Sequence, residues 1–279
     1  MIEKLSYKQV NSIVKRYDTD GHAPLLVLAD DFSQYVLKFP KNPFDSYSIA
    51  KEFICHYLLK CWSIPTPDIA GLTFNAETLN QTSVITDREK RLIGNNTCFG
   101  SRLILNTVEL IDFITVENKT AQKKIINAED IVKIALFDIW VENDDRKPTN
   151  NNILLDSSGK GFALNAIDHA FTFSSLHFNE LTHKDVCFSD NDSILYSPLA
   201  KSIIKKTKIN STYYKQLEEM FYLCIEKVKS NFSEIISNLP AGLDFTEEDK
   251  TILSDYLFNN QRNISVYQHF SYIVNSIKK

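Results

Sequence analysis

Between Ile139 and Leu155 the chain reads IWVENDDRKPTNNNILL. Carboxylates at Glu142, Asp144 and Asp145 and carboxamides at Asn143, Asn150, Asn151 and Asn152 crowd a loop behind an apolar segment, at a density that an exposed turn does not need. Oxygens of this kind are what a hard cation such as Mg²⁺ takes as ligands. A hairpin over residues 153–155 and 162–167 with a five-residue turn would set Asp156 opposite Phe162 and Asn150 opposite Asp168. Cross-strand partners lie ~4.5–5.5 Å apart, so one oxygen from each could grip the same ion. Asp145, five residues before Asn150, could then reach a hydroxyl near that ion. A carboxylate that orients an acceptor hydroxyl, beside an Asn and an Asp that hold Mg²⁺ on phosphates, is equipment for phosphoryl transfer.

That chemistry also needs a cation on the α- and β-phosphates and an acid to hold the cation in place. Lys38 lies in Gln34–Phe39, a run of strand formers, and Glu52 follows on the next helix. Only Asp20, Gly21, His22, Ala23 and Pro24 offer a loop to cover phosphates. Taken singly, Lys38 is an ordinary strand lysine, Glu52 a helix-face charge, and Asp144 and Asp145 loop formers. The joint order Lys38, Glu52, Asp145, Asn150, Asp168 is what singles them out.

The elements that must position these residues follow from patterning. Pro24–Ala29 and Gln34–Phe39, joined through Asp30 and Asp31, read as a hairpin. Residues 46–62 carry Ala50, Ile54, Tyr57, Leu58 and Cys61 on one helical stripe, stopped by Pro65 and Pro67. Residues 69–105 read as strands around Leu72, Val84–Ile85 and Leu103–Ile104. Asn127 and Asp130 have capping-box spacing and open a helix to Val141 in which Lys133 and Asp138 are the only charges, the mark of a buried helix. Residues 174–200 read as irregular. Helices are expected over 212–238, 247–260 and 262–277.

Composition narrows the field. The 279 residues, 43% hydrophobic and 24% charged, suffice for one sizeable core or two lobes sharing a cleft. A net charge of -4 argues against direct nucleic-acid binding. None of the 7 glycines is spaced as a Rossmann fingerprint or a Walker A loop. Five cysteines without a C-x-x-C pair fit a reducing, cytoplasmic compartment. MIEKLSYKQV has no apolar core of a leader, and no stretch is apolar enough to span a membrane. His177, His183 and Cys187 are too scattered for a zinc site, and Lys201, Lys205, Lys206 and Lys208 read as a solvated face.

In its motifs the sequence resembles the HipA-like kinases, whose fold is related to phosphatidylinositol 3/4-kinases. Asp20–Val27 resembles the family's front loop and first strand, Tyr35–Phe39 its nucleotide-lysine strand, and Glu52 with Ile64–Pro67 its first helix and following turn. Cys98–Ser101 resembles the strand leading to the hinge. Asn143–Arg146 with Asn150 and Asn152, then Ile167–Ala170, resembles its catalytic and metal motifs. The likeness spans about residues 18–175. It implies an α+β, two-lobed protein-kinase-like fold, with a β-rich N-terminal lobe at 1–104 and a mainly helical C-terminal lobe at 105–279. It also implies ATP and Mg²⁺ as cofactors, Asp145 as the catalytic group, Asn150 and Asp168 on the metal, and Lys38, Glu52, Gly21 and His22 on the nucleotide. The acceptor would be a Ser/Thr hydroxyl of a protein, and an antitoxin-like protein is the kind of partner that the family brings. The chain begins close to the front loop, as a short stand-alone form would. A small-molecule kinase and a nucleotide-binding pseudokinase are the alternatives.

Overall fold

The strand pattern of the first hundred residues closes on itself. In the computed structural model, which describes residues 2–18, 23–40, 42, 46–94, 96–110, 123–181, 193–206, 211–243 and 245–279, five strands form a barrel. They are β1 (Ser6–Arg16), β2 (Leu25–Ala29), β3 (Gln34–Lys38), β4 (Ile69–Phe74) and β5 (Cys98–Arg102), in the order β1-β2-β3-β5-β4. The β1–β4 pair is parallel and the others are antiparallel. Val10, Leu25, Val27, Ala29, Tyr35, Leu37, Ala70, Leu72 and Cys98 fill its core. Gly100 has a packing reason: a Cβ there would meet Leu72 Cδ1 at 2.5 Å, so a side chain would push β5 off β4.

Helix α1 (Ser46–Cys61) has residues 48–59 buried throughout, hence its weak amphipathic signal. Between β4 and β5 lie two short helices, α2 (Ala76–Gln81) and α3 (Asp87–Gly94), and not a strand at Val84–Ile85. Side chains start both: Asn75 Oδ1 accepts from Thr78 N at 2.7 Å, and Thr86 exchanges bonds with Glu89 in a capping box. Leu103–Ile104 falls just past β5. The long β1 has no counterpart in the sequence pattern. Its pairing with β2 shifts register between Val10 and Ser12 and again between Ile13 and Lys15, which breaks the two-residue alternation.

The remainder is mainly helical: α4 (Asp130–Trp140), α5 (Pro198–Lys206), α6 (Ser211–Ser237), α7 (Glu247–Phe258) and α8 (Asn260–Lys278). A three-stranded sheet, β6 (Thr107–Glu109), β7 (Ile153–Asp156) and β8 (Ala163–Ala166), accompanies them in the order β6-β7-β8. In α4 every residue from Ile131 to Trp140 except Lys133 is buried. Trp62 stacks on Trp140 with centroids 5.3 Å apart and meets Phe137 and Phe221 edge-on, so α4 packs through large aromatic surfaces. Asn127 does not cap α4. Its Nδ2 donates to Asp130 Oδ2 at 2.9 Å, a bond between the two expected partners but not a capping box, while its amide oxygen accepts from Leu164 N at 2.7 Å and Nδ2 also reaches Leu164 O at 3.2 Å, so it ties the start of α4 to β8.

The chain divides into two compact units. The first comprises residues 1–57, 67–104 and 233–246, and the second residues 58–66, 105–232 and 247–279. The fold is mixed α+β, with strands in the N-terminal part and helices predominating in the C-terminal part. Among the described residues no helix is long and apolar enough to cross a membrane.

Candidate active site

In the first unit, Leu37 points into the barrel and Lys38, the next residue on β3, therefore projects from the other face. There it meets α1. Lys38 Nζ donates to Glu52 Oε1 at 2.5 Å, with Lys38 9% and Glu52 2% exposed. An ion pair this deep gives up most of its hydration, which is the setting in which a lysine is held to one position. Gly21 and His22 lie outside the described residues, as do His183, Cys187 and Lys208.

In the second unit, α4 ends at Trp140 and the chain turns sharply, with Glu142 at φ 46. Asn143 Nδ2 donates to Asp138 Oδ1 at 3.1 Å, and Asn143 Oδ1 accepts from Asp145 N at 3.2 Å. The loop is thereby folded back onto the helix it leaves. Asp145 is held from the other side by carboxamides. Its Oδ1 accepts from Asn150 Nδ2 at 2.9 Å and its Oδ2 from Asn152 Nδ2 at 2.8 Å. A carboxylate has about four acceptor positions, so two amide donors orient it and leave capacity for a hydroxyl.

Arg146, 0% exposed, joins this loop to the strand that follows. Its Nη1 donates to Asp138 Oδ1, its Nη2 donates to Ile167 O at 2.7 Å, and Nη2 stands 3.0 Å from His169 Nε2. Asp168 lies between those last two residues, in the left-handed region at φ 58, which Asp tolerates better than most residues. Burial pushes the Asp138 carboxyl up to about 6, against the pull of Arg146 and the Asn143 amide.

The hairpin register differs from the expected one. Asp156 pairs with Ala163 and Ile153 with Ala166, so the connection is one residue longer and Asn150 is not opposite Asp168. Phe162 has been drawn out of the ladder: its N–H donates to Lys124 O and its carbonyl accepts from Ile126 N, both at 2.9 Å. Gly161 permits this approach, since a Cβ there would stand 2.5 Å from Lys124 O. Asn150 itself belongs to a tight turn closed by mutual backbone bonds with Lys147.

The segment after Asp168 is sewn to the loop as well. Phe173 N donates to Val141 O at 2.6 Å and Ser174 N to Glu142 O at 3.0 Å. Ser174 Oγ also donates to Glu142 Oε2. Glu142 Oε1 in turn pairs with Arg262 of α8 at 3.1 Å, and Arg262 bonds Trp140 O and the Tyr256 hydroxyl. The buried Tyr256 hydroxyl is pushed well above the ordinary tyrosine range, chiefly by desolvation.

Asn150 commits its Nδ2 to Asp145, so its amide oxygen is the atom that would face a metal ion, and Asp168 would add a carboxylate. This donor set fits Mg²⁺, which is commonly bound by one or two carboxylates together with substrate phosphates. Among the described residues no group of three or more His, Cys, Asp or Glu is placed to hold a metal ion by itself. Asp138, Asn143 and Asn152 were not picked out as site residues by spacing alone. The signal for Asp138 was its presence as one of two charges in an apolar helix.

A family model described as HipA-like kinase matches residues 10–264. Among solved structures, the proinflammatory kinase CtkA of Helicobacter pylori superposes with a TM-score of 0.53 at 12% identity, over 98% of each chain. The Golgi casein kinase with Mn/ADP bound gives 0.47 at 11% identity, over 96% of this chain and 74% of that one. HipA of Shewanella oneidensis MR-1, in a complex with HipB and operator DNA, gives 0.44 at 13%, over 95% and 67%. No curated protein matches the sequence significantly.

Proposed function

The chain belongs to the HipA-like kinase family, and on that premise we propose that it transfers the γ-phosphate of ATP to a serine or threonine hydroxyl of a protein. The observation that carries the proposal is the Asp145 carboxylate, gripped by Asn150 and Asn152 and followed directly by an arginine that binds both neighbours of Asp168. In this reading the two compact units are the lobes of a kinase fold, residues 1–104 supplying most of the nucleotide lobe and 105–279 most of the catalytic one. Lys38, steadied by Glu52, contacts the α- and β-phosphates, and Gly21 and His22 cover them. Asn150 and Asp168 hold Mg²⁺, which when bound neutralises charge on the transferring phosphates. Asp145 orients the acceptor hydroxyl and accepts its proton as the oxygen attacks phosphorus and the bond to the ADP oxygen breaks. Family membership alone supports the protein acceptor and the antitoxin-like partner in this reading.

Incubation of the purified chain with Mg-ATP, generic protein acceptors and cell extract, followed by mass spectrometry for added phosphate, tests the proposal. Phosphoserine or phosphothreonine that appears with the wild type and not with Asp145→Asn is the expected result. Label found only on small alcohols or amines, or none on any acceptor, overturns it.

A further inference from the structure

Asp138 and Arg146 form a buried pair whose geometry is poor as a stabilising ion pair and good as a clamp. Asp138 is 1% and Arg146 0% exposed, and the residues around Asp138 on α4 are apolar. Ionised groups so placed lose their hydration, and an arginine facing a carboxylate recovers most through a parallel, two-bond fork. That fork is absent. Only Asp138 Oδ1 is used, while Asp138 Oδ2 and Arg146 Nε have no hydrogen-bond partner among the described residues. The guanidinium is instead turned so that Nη2 reaches Ile167 O and His169 Nε2, more than twenty residues along the chain.

We infer that Asp138 is a positioning residue for phosphoryl transfer: it fixes the Arg146 guanidinium, which sets the Asp145 loop against the backbone that carries Asp168. The inference rests on the kinase reading above. The connectivity makes the coupling direct. Arg146 is the residue after Asp145, and its acceptors are the residues on either side of Asp168. The same Asp138 oxygen takes Asn143 Nδ2, and Asn143 Oδ1 takes the Asp145 N–H, so Asp138 steers Asp145 from both sides of the loop. A shift of the guanidinium moves the group that orients the hydroxyl relative to the group assigned to the metal. Misplacement on the scale of 1 Å at a reacting centre is enough to lower turnover by about 10²-fold.

The test is steady-state kinetics of the full chain with Mg-ATP and an accepted protein substrate, beside nucleotide affinity by calorimetry and the folded fraction by circular dichroism. Asp138→Asn keeps shape and an acceptor oxygen but loses the charge. It is expected to lower kcat about 10-fold to 10²-fold while KM for ATP and nucleotide affinity stay within about threefold of wild type. Arg146→Lys, which keeps the charge but cannot reach both segments, is expected to show the same split, and it carries the test if Asp138→Asn does not fold. A merely structural role would lower activity only in proportion to the folded fraction, and that outcome overturns the inference, as does wild-type kcat in a folded variant. A wild-type chain that transfers no phosphate sinks the kinase reading instead, so the two failures are told apart.

Discussion

Replacing Glu52 with leucine separates the structural from the functional share of the Lys38–Glu52 pair. At 2.5 Å and an effective dielectric constant near 20, the two charges attract by roughly 6–7 kcal/mol. Each ion gave up several kcal/mol of hydration to reach a site where Lys38 is 9% and Glu52 2% exposed, so the pair nearly breaks even against apolar side chains. Glu52→Leu removes the attraction and leaves the cost of burying Lys38, a loss of about 3–5 kcal/mol. Lys38→Met together with Glu52→Leu removes both charges and should return to within about 1 kcal/mol of wild type. Phosphate incorporation should be lost in both, because the double variant regains stability without regaining a cation for the phosphates. The assay is urea unfolding by far-UV circular dichroism. Tryptophan fluorescence would report on the wrong unit, since Trp62 and Trp140 both belong to the second. A cost below about 1 kcal/mol for Glu52→Leu would refute the electrostatic account, and a double variant with wild-type turnover would remove Lys38 from the nucleotide.

The catalytic loop, the metal and the buried acid each give a further test. Asp145→Asn should lower phosphate transfer by roughly 10²-fold or more at saturating Mg-ATP, whereas Asp144→Asn, whose Oδ2 accepts a long 3.4 Å bond from Ser175 Oγ, should cost much less; the reverse order in a radiolabel assay would reassign the role. Asp168→Ala should weaken Mg-nucleotide binding more than Asn150→Ala, since one removes a charged ligand and the other a neutral one; calorimetric affinities equal to wild type in both variants would remove both from the metal. Asp138 has its carboxyl raised from 3.8 to about 6, so between about pH 4 and pH 6 the folded chain keeps a proton that the unfolded chain releases. Wild-type stability relative to Asp138→Asn should therefore fall as pH rises through that window, by up to about 3 kcal/mol; a flat difference in unfolding free energy across it would mean that Asp138 stays ionised throughout.

What could be read in advance was whatever the chain encodes locally. The β2–β3 hairpin announces itself by its strand formers and turn pair, α1 by a run of apolar residues closed by Pro65 and Pro67, and the three C-terminal helices by their patterning, and with the first two come Lys38 and Glu52. Asp145 is bonded to Asn150 and Asn152 over five and seven residues, so this part of the site is local in the chain, and the spacing of Asp145 and Asn150 is a legible part of it. β1 escaped because two register shifts scramble its alternation. Val84 and Ile85 looked like a strand because β-branched residues favour one, while Thr86 and Glu89, which start a helix beside them, were the better signal. The hairpin register depended on where residues 124–126 would lie, because Phe162 bonds to them and not to its expected partner. Glu142 and Arg262 are 120 residues apart, and no local pattern connects them.

The one-residue error in register bears on how the site is held. In a hairpin, a slip of one residue sends every side chain to the opposite face. The ladder between β7 and β8 ends at Ile153 and Ala166, with one further bond from Ile167 N to Asn152 O at 3.0 Å, so Asp168 lies beyond its protection. The contacts that take over there are those of Arg146, to the carbonyl of Ile167 and the ring of His169. A side chain buried against α4 thus fixes the register of a strand end that the sheet no longer governs. This accounts for an ionic group inside the most apolar helix of the second unit: the charges of Asp138 and Arg146 are placed where backbone pairing stops and the chain must still set one carboxylate against another.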